Sequence, residues 1–338
     1  MKWKIFYALV ICSMFFSRVL LADDEKSDQE TKKPTLTIAS WNIDAIDLKD
    51  IQKIVEGITK LNPQILCLQE VDVLTKRKRE NFVDVRQTLL ELLTKTFGSI
   101  SYHYAKEFQE LVEIWKAEAE KADGDYNVSE HVKDTIATGQ MTLIREPITF
   151  TKPYDTAQSL TFKKQYWLWT HLNTLKWLSY KIRDKGLEAR EGGRVVLLST
   201  IHHPEFGDIY IINLHLESKK EDREIRMKQL EELFSSKLFK DIGDQKIILA
   251  GDFNEHQNGL NPYITETFGF RNPFSESKIP TYPHADKSGD RIDFIYLKNF
   301  DENLIIRPTV YGEENGGHGK CTIEGSDHCP ISIDIIIP

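Results

Sequence analysis

Cysteine is scarce in this chain, and none of it stands in a metal-binding spacing. The four cysteines, Cys12, Cys67, Cys321 and Cys329, form no C-x-x-C pair, and no H-E-x-x-H occurs in the 338 residues. The usual structural zinc sites and the zincin proteases are therefore disfavoured. A glycine-rich phosphate loop is missing, as is the G-x-S-x-G elbow, so serine-hydrolase chemistry finds no support. No segment repeats at a period of about 20–50 residues, which argues against solenoids and propellers. Positive charge is not in excess: 44 Lys and Arg against 52 Asp and Glu leave a net charge of −8. This argues against a broadly basic, non-specific nucleic-acid binder, but it does not exclude a local basic groove or a phosphate-drawing metal.

Long hydrophobic runs are also lacking. The apolar stretch Ile5 to Phe16 (IFYALVICSMFF) is shorter than the ~20 residues a membrane span needs. Lys2 and Lys4 precede it and Asp23-Asp24-Glu25 follow, the order of a targeting signal. We expect residues 1–22 to be a signal peptide cleaved after Ala22, with an uncleaved anchor as the alternative. The expected location is secreted, periplasmic or otherwise extracytoplasmic. Residues 23–34 (DDEKSDQETKKP) have no apolar anchor and read as a flexible lead-in. Cys67, inside an apolar run, reads as a buried thiol. Cys321 and Cys329 are close enough to pair across a loop if the compartment is oxidising.

What is present is a globular composition, 40% hydrophobic and 28% charged, long enough for one large α/β domain. From Thr35 onward, short apolar strands alternate with amphipathic helices. Leu36 to Trp41 reads as a strand, and the spacing of Leu48, Ile51, Ile54, Val55, Ile58 and Leu61 predicts a helix ended by Pro63. Further strands are expected at 65–68, 141–144, 195–200, 209–214, 247–250, 292–297 and 331–337. Leu89 to Phe97 predicts a second helix before Gly98. Ser218 with Glu221 forms a capping-box pattern ahead of a third. Helical insertions are expected near 101–135 and 160–190, the latter carrying Trp167, Trp169 and Trp177. No domain boundary is visible after residue 35.

The functional signal is positional. Trp41 is followed by Asn42, Leu68 by Gln69-Glu70, Leu214 by His215, and Ala250 by Gly251-Asp252-Phe253-Asn254. Asp293 opens one strand, and Ser326-Asp327-His328 precedes the last. Adjacent strands bring such ends to one rim. Carboxylates crowded there repel unless a cation neutralises them, and oxygen-rich donors with two amides suit a hard ion such as Mg²⁺. A hard ion beside histidines is equipment for phosphoester hydrolysis. Each piece also has a plainer reading: Asp252 and Asn254 as an Asx turn, Ser218 as an N-cap, His215 as a half-buried histidine.

The segments SWNID (40–44), LQEVD (68–72), NLHLES (213–218), LAGDFNE (249–255), DRIDFIYL (290–297) and GSDHCPIS (325–332) resemble, in this order, the endonuclease/exonuclease/phosphatase superfamily. Within it, SWNID, HLES and EDREIRMKQLEEL look most like the type-2 tyrosyl-DNA phosphodiesterases. Glu255-His256-Gln257 stand where that branch has an arginine soon after the asparagine. Thr281-Tyr282-Pro283 replace its Trp-Asp element. The resemblance implies a catalytic domain over 35–338 with a DNase I-like fold, a four-layer α/β sandwich of two mixed β-sheets flanked by helices. It implies Glu70 as main metal ligand, with Asn42 and Asp327 supporting the metal and phosphate site. His215 would contact the scissile phosphate, Asp252 would act on a proton with Asn254 orienting it, and Asp293 would hold His328.

The expected function is therefore a secreted phosphodiesterase dependent on Mg²⁺ or Mn²⁺, with nucleic acid the favoured substrate. Two alternatives stand beside it: a sphingomyelinase-like phosphoesterase acting on phospholipid or inositol phosphates, and a catalytically silent binding protein on the same fold. No obligate protein partner is implied, and a monomer is the default.

Overall fold

In this computed structural model, the described residues are 33, 35–44, 48–75, 83–110, 137–151, 158–161, 190–192, 194–218, 223–283, 290–312 and 320–338. The expected signal peptide and the segment with Trp167, Trp169 and Trp177 lie outside them, as does nearly all of the expected lead-in.

The first sheet has eight strands. Its order is β13 (Ile305–Val310), β14 (Ile331–Ile336), β1 (Thr35–Asn42), β2 (Ile65–Thr75), β5 (Ala137–Arg145), β4 (Ile100–Glu110) and β8 (Arg190–Gly192), with β3 (Val83–Asp84) on β2. The second has six: β12 (Asp293–Lys298), β11 (Lys246–Asp252), β10 (Gly207–His215), β9 (Val195–His203) and β6 (Thr149–Phe150), with β7 (Gln158–Thr161) on β9. Both are mixed: β1 runs parallel to β2 and β10 to β11, while the pairs β1–β14 and β11–β12 are antiparallel.

Three cores account for the layering. Between the sheets lie Leu36, Ile38, Ile65, Ile211, Ile248, Ile295 and Ile333. Outside the first sheet, α1 (Leu48–Leu61) and α2 (Val85–Phe97) bury Ile54, Ile58, Leu89 and Leu93 against Ala39, Trp41, Leu66 and Leu68. Outside the second sheet, α3 (Arg223–Ser235) buries Leu230, Leu233 and Phe234 against Ile212, Leu214, Ile247 and Leu249. Strands covered on both faces need apolar residues in every position, hence near-continuous runs such as IILA in β11. Helix, sheet, sheet, helix is the four-layer sandwich that the sequence implied.

Local signals explain the helix ends. Asp84 caps α2 by accepting from the Gln87 N–H at 2.8 Å, and Gly98 ends that helix at φ 83°. The capping box at Ser218 involves residues 219–222, outside the described set; α3 is described from Arg223, and a short α4 (Lys237–Lys240) follows it. One expectation is corrected. Residues 100–110 form strand β4, not the start of a helical insertion, because they pair with β5 along most of its length. Cross-strand pairing overrides a charged, helix-prone composition here. Strand β13 also went unforeseen, since its exposed edge carries Arg307 and Pro308 instead of an apolar run.

Candidate active site

Alternation along the strands decides which side chains reach the site. Successive residues of a strand point to opposite faces. In β1 the row facing the second sheet is Leu36, Ile38, Ser40, Asn42; in β10 it is Ile209, Ile211, Asn213, His215; in β11 it is Ile248, Ala250, Asp252. In β12, the row of Leu297 and Ile295 ends at Asp293. Register then lines up the ends, with His215 beside Asp252 and Asp252 beside Asp293. Each inner row thus starts as hydrocarbon and finishes in an ionisable or amide group at the rim.

Between hydrocarbon and rim lies a layer of buried amides. Gln69 Nε2 donates to Asn213 Oδ1 at 2.8 Å, and Asn213 Nδ2 donates to the carbonyls of Leu68 and Met141, both at 3.1 Å. These bonds satisfy polar groups that would be costly to bury unpaired, and they tie the two sheets together under the site.

Glu70 breaks the alternation. After the inward Gln69 it would point to the helix layer, but β2 bulges against β5 between Leu68 and Val71, and Glu70 takes a φ of 57°. An extra residue at a bulge re-aims a side chain, and left-handed backbone at a non-glycine residue is strain retained where function needs it. Asp44 and Asn254, with φ of 45° and 49°, flank the same rim. Gly251 is required for a different reason. Its φ is 143°, and a Cβ there would lie 1.9 Å from the Leu214 carbonyl oxygen.

The side chains converge from both sheets. Asn42 Nδ2 donates to Asp252 Oδ2 at 2.9 Å and reaches Glu70 Oε1 at 3.4 Å, while its Oδ1 accepts from the Asp44 N–H. Asn42 therefore bridges the two carboxylates. His215 Nε2 lies 3.5 Å from Asp252 Oδ2 and 4.0 Å from Glu70 Oε1. His328 Nδ1 meets Asp293 Oδ2 at 2.9 Å, and its Nε2 lies 3.7 Å from Asp252 Oδ2. Asn254 takes part through its backbone, whose N–H donates to Asp252 Oδ1 at 2.8 Å; its amide donates to the Leu216 carbonyl. The Asx turn is thus real and serves to aim Asp252. Asp327 is exposed, on the same side as Tyr282, whose phenol is pushed up by burial and by Asp327, Asp44, Asp252 and Glu70.

The electrostatics follow from crowding. Burial raises Asp252 to about 7, with the Asp293 charge adding to it and His328, Asn42 and the Asn254 N–H opposing. Burial alone would lower His328, but Asp293, Asp252 and Asp327 outweigh it and raise the imidazole. A hard divalent cation fits this donor set. The oxygen donors are the rim carboxylates: Asp293 Oδ1 is buried with no hydrogen-bond partner among the described residues, and Glu70 Oε1 and Asp252 Oδ2 lie 4.0 and 3.5 Å from the same His215 Nε2, while the raised His328 imidazole stands beside them within 4.8 Å of Asp252 and Asp293.

Apart from the Cys321–Cys329 pair, expected for an oxidising compartment, sequence reasoning missed the roles of the groups that hold this array in place. Thr281 Oγ1 accepts from the N–H groups of Ile292 and Asp293, and Trp41 Nε1 donates to the His328 carbonyl at 2.8 Å. Ser326 Oγ donates to the Asn42 carbonyl at 2.7 Å and accepts from the His328 N–H. The Cys321–Cys329 disulfide closes the loop that carries Asp327 and His328. Arg194, whose guanidinium contacts His215 Nδ1 at 2.8 Å, was also overlooked. Its one sequence cue was a basic residue directly before the apolar run Val195 to Leu198.

This fold is shared by a family of phosphoester enzymes. Residues 39–328 match the model of the Endonuclease/Exonuclease/phosphatase family, and the chain belongs to it. Members are generally hydrolases acting on phosphoester bonds and typically use divalent metals. Solved structures share the fold at low identity. TDP2 from C. elegans is 16% identical with a TM-score of 0.53, covering 90% of this chain and 75% of that one. The human Nocturnin catalytic domain with bound sulfate anion is 15% identical with a TM-score of 0.53, covering 90% and 94%. A family protein from Beutenbergia cavernae is 16% identical with a TM-score of 0.56, covering 90% and 72%. No curated protein matches the chain.

Proposed function

We propose that this protein is an exported phosphodiesterase dependent on Mg²⁺ or Mn²⁺, with nucleic acid as its favoured substrate. The observation that carries the reading is the meeting of Asn42, Glu70, His215, Asp252, Asp293 and His328 at one rim, drawn from both sheets. The resemblance of SWNID and HLES to the type-2 tyrosyl-DNA phosphodiesterases supports a nucleic-acid substrate. Export is supported by the charged and apolar order of residues 2–25 and by a disulfide of the kind oxidising compartments keep.

In this reading Glu70 holds the cation, with Asn42 and Asp327 supporting it. When bound there, the ion would supply Lewis-acid polarisation of a phosphoryl oxygen. Asp293 orients His328 by accepting from Nδ1–H, which turns Nε2 towards Asp252. Asp252, raised to about 7, is tuned to exchange a proton with water or leaving group near neutral pH. His215 points its Nε2 at the place where a phosphate oxygen would sit beside Glu70 and Asp252.

The test is an end-labelled oligonucleotide carrying a 5′-phosphotyrosyl group, incubated with the protein in Mg²⁺ or in EDTA. Processing in Mg²⁺ alone, lost by about 10²–10⁴-fold in Asp252→Asn, is the expected result. Loss of the tyrosyl cap would favour the tyrosyl branch, and shortening of the strand a nuclease. An untouched oligonucleotide would transfer the proposal to phospholipid or small phosphoesters. Full turnover in Asp252→Asn would overturn the site.

A further inference from the structure

The two histidines of the rim are oriented by opposite partners. His328 Nδ1 faces a carboxylate, Asp293 Oδ2, at 2.9 Å. His215 Nδ1 faces a guanidinium, Arg194 Nη1, at 2.8 Å, in a pair that is 1% and 7% exposed. A carboxylate accepts, so His328 carries a proton on Nδ1. A guanidinium has five N–H donors and no acceptor, so the lone pair of His215 must be on Nδ1. The proton of the His215 ring is then on Nε2, the nitrogen that points to Asp252 Oδ2 and Glu70 Oε1. The placement comes from the fold: Arg194 immediately precedes β9, and β9 pairs with β10 in the register Val196–Leu214, one residue short of His215.

We infer that Arg194 is a positioning residue that locks His215 as its Nε2–H tautomer, making His215 a fixed hydrogen-bond donor to a phosphoryl oxygen and not a proton carrier. The donor role rests on the phosphodiesterase reading; the tautomer lock does not. Proton exchange is thereby left to Asp252 and to His328, whose orienting partner is the reverse. The inference also explains why an arginine is kept at a buried position, where a fixed charge is costly unless its donors are used.

The experiment is long-range ¹H–¹⁵N correlation spectroscopy on the full chain with ¹⁵N-labelled histidine, which distinguishes a protonated from an unprotonated ring nitrogen. It is run beside steady-state kinetics on the 5′-phosphotyrosyl oligonucleotide in Mg²⁺. The unsubstituted protein should show His215 protonated on Nε2 only. Arg194→Lys should keep that signature and much of the rate, because an ammonium also only donates. Arg194→Met should give a mixture of tautomers, with kcat lower by about 10–100-fold, the scale seen when an imidazole loses its orienting partner, and KM within about twofold. A His215 ring protonated on Nδ1 in the unsubstituted protein would overturn the inference. An unchanged signature in a folded Arg194→Met protein would overturn it as well. If Arg194→Met does not fold, the unsubstituted protein and Arg194→Lys still decide the tautomer. The expected tautomer in a protein that cleaves no phosphodiester would keep the lock and remove the phosphodiesterase reading.

Discussion

At the residue scale, burial converts ordinary side chains into tuned ones. Asp252 and His328 are both held above their usual values, 3.8 and 6.5, to about 7 and about 10. A group whose folded value is raised stabilises the fold fully below its unfolded value and loses that contribution as pH rises through the folded one. The windows are therefore about pH 4 to 7 for Asp252 and 6.5 to 10 for His328. Metal-free protein in EDTA should become less stable across both windows as pH rises. Urea midpoints measured from pH 5 to pH 9 check this, and Asp252→Asn should flatten the lower window. Cys67, by contrast, is pushed up to about 12 by burial and should resist thiol reagents until the protein unfolds. Asn42, Glu70, His215, Asp252, Asp293 and His328 were legible in the sequence because each is a polar residue beside a buried apolar run. Thr281, Ser326 and Arg194 were not, because each lies in a connecting segment and acts through hydrogen bonds that only the packed fold brings together.

At the element scale, loops that carry the site are braced by long-range links. Arg226 of α3 is buried, and it donates to Glu255 Oε2 from Nε at 3.0 Å and from Nη2 at 2.6 Å, and to the Glu217 carbonyl from Nη1. One side chain thus joins the loop after β10 to the loop after β11. Glu255→Ala should cost about 3–5 kcal/mol, because it removes the carboxylate facing a buried guanidinium. The double substitution Arg226→Met with Glu255→Leu should recover part of that loss, and chemical denaturation of the three proteins measures it. The Cys321–Cys329 bridge spans eight residues. Replacing both cysteines by serine should cost about 2–3 kcal/mol by the loop-entropy rule. Activity should fall further than stability alone explains, since the freed loop carries Asp327 and His328; kcat measured well below the unfolding temperature separates the two effects.

At the scale of the whole molecule, a chain with net charge −8 concentrates carboxylates at a rim that, in the proposed function, would meet an anionic phosphate. A bound divalent cation would offset both repulsions. Mg²⁺ should therefore raise the melting temperature, and by more at pH 8 than at pH 6, because Asp252 sheds its proton through about 7 and binds the ion better without it. Differential scanning fluorimetry at the two pH values reads this directly, and an equal shift at both would count against Asp252 facing the ion.

The sequence by itself determined the alternation of strands and helices, the positions of α1 and of most strands, the nearness of Cys321 to Cys329 and the polar residues of the rim, while the four layers were implied by the family resemblance of its ordered segments. Those features are local or periodic: apolar spacing, caps and strand-end polarity are written in neighbouring positions. Tertiary structure alone decided that residues 100–110 form a strand, that a bulge turns Glu70 into the rim, that Asn42 bridges two carboxylates from different sheets, and that the two histidines have opposite orienting partners. Each of these depends on which atom of a distant residue lies within about 3 Å, a distance set by strand register and sheet packing and by no local pattern.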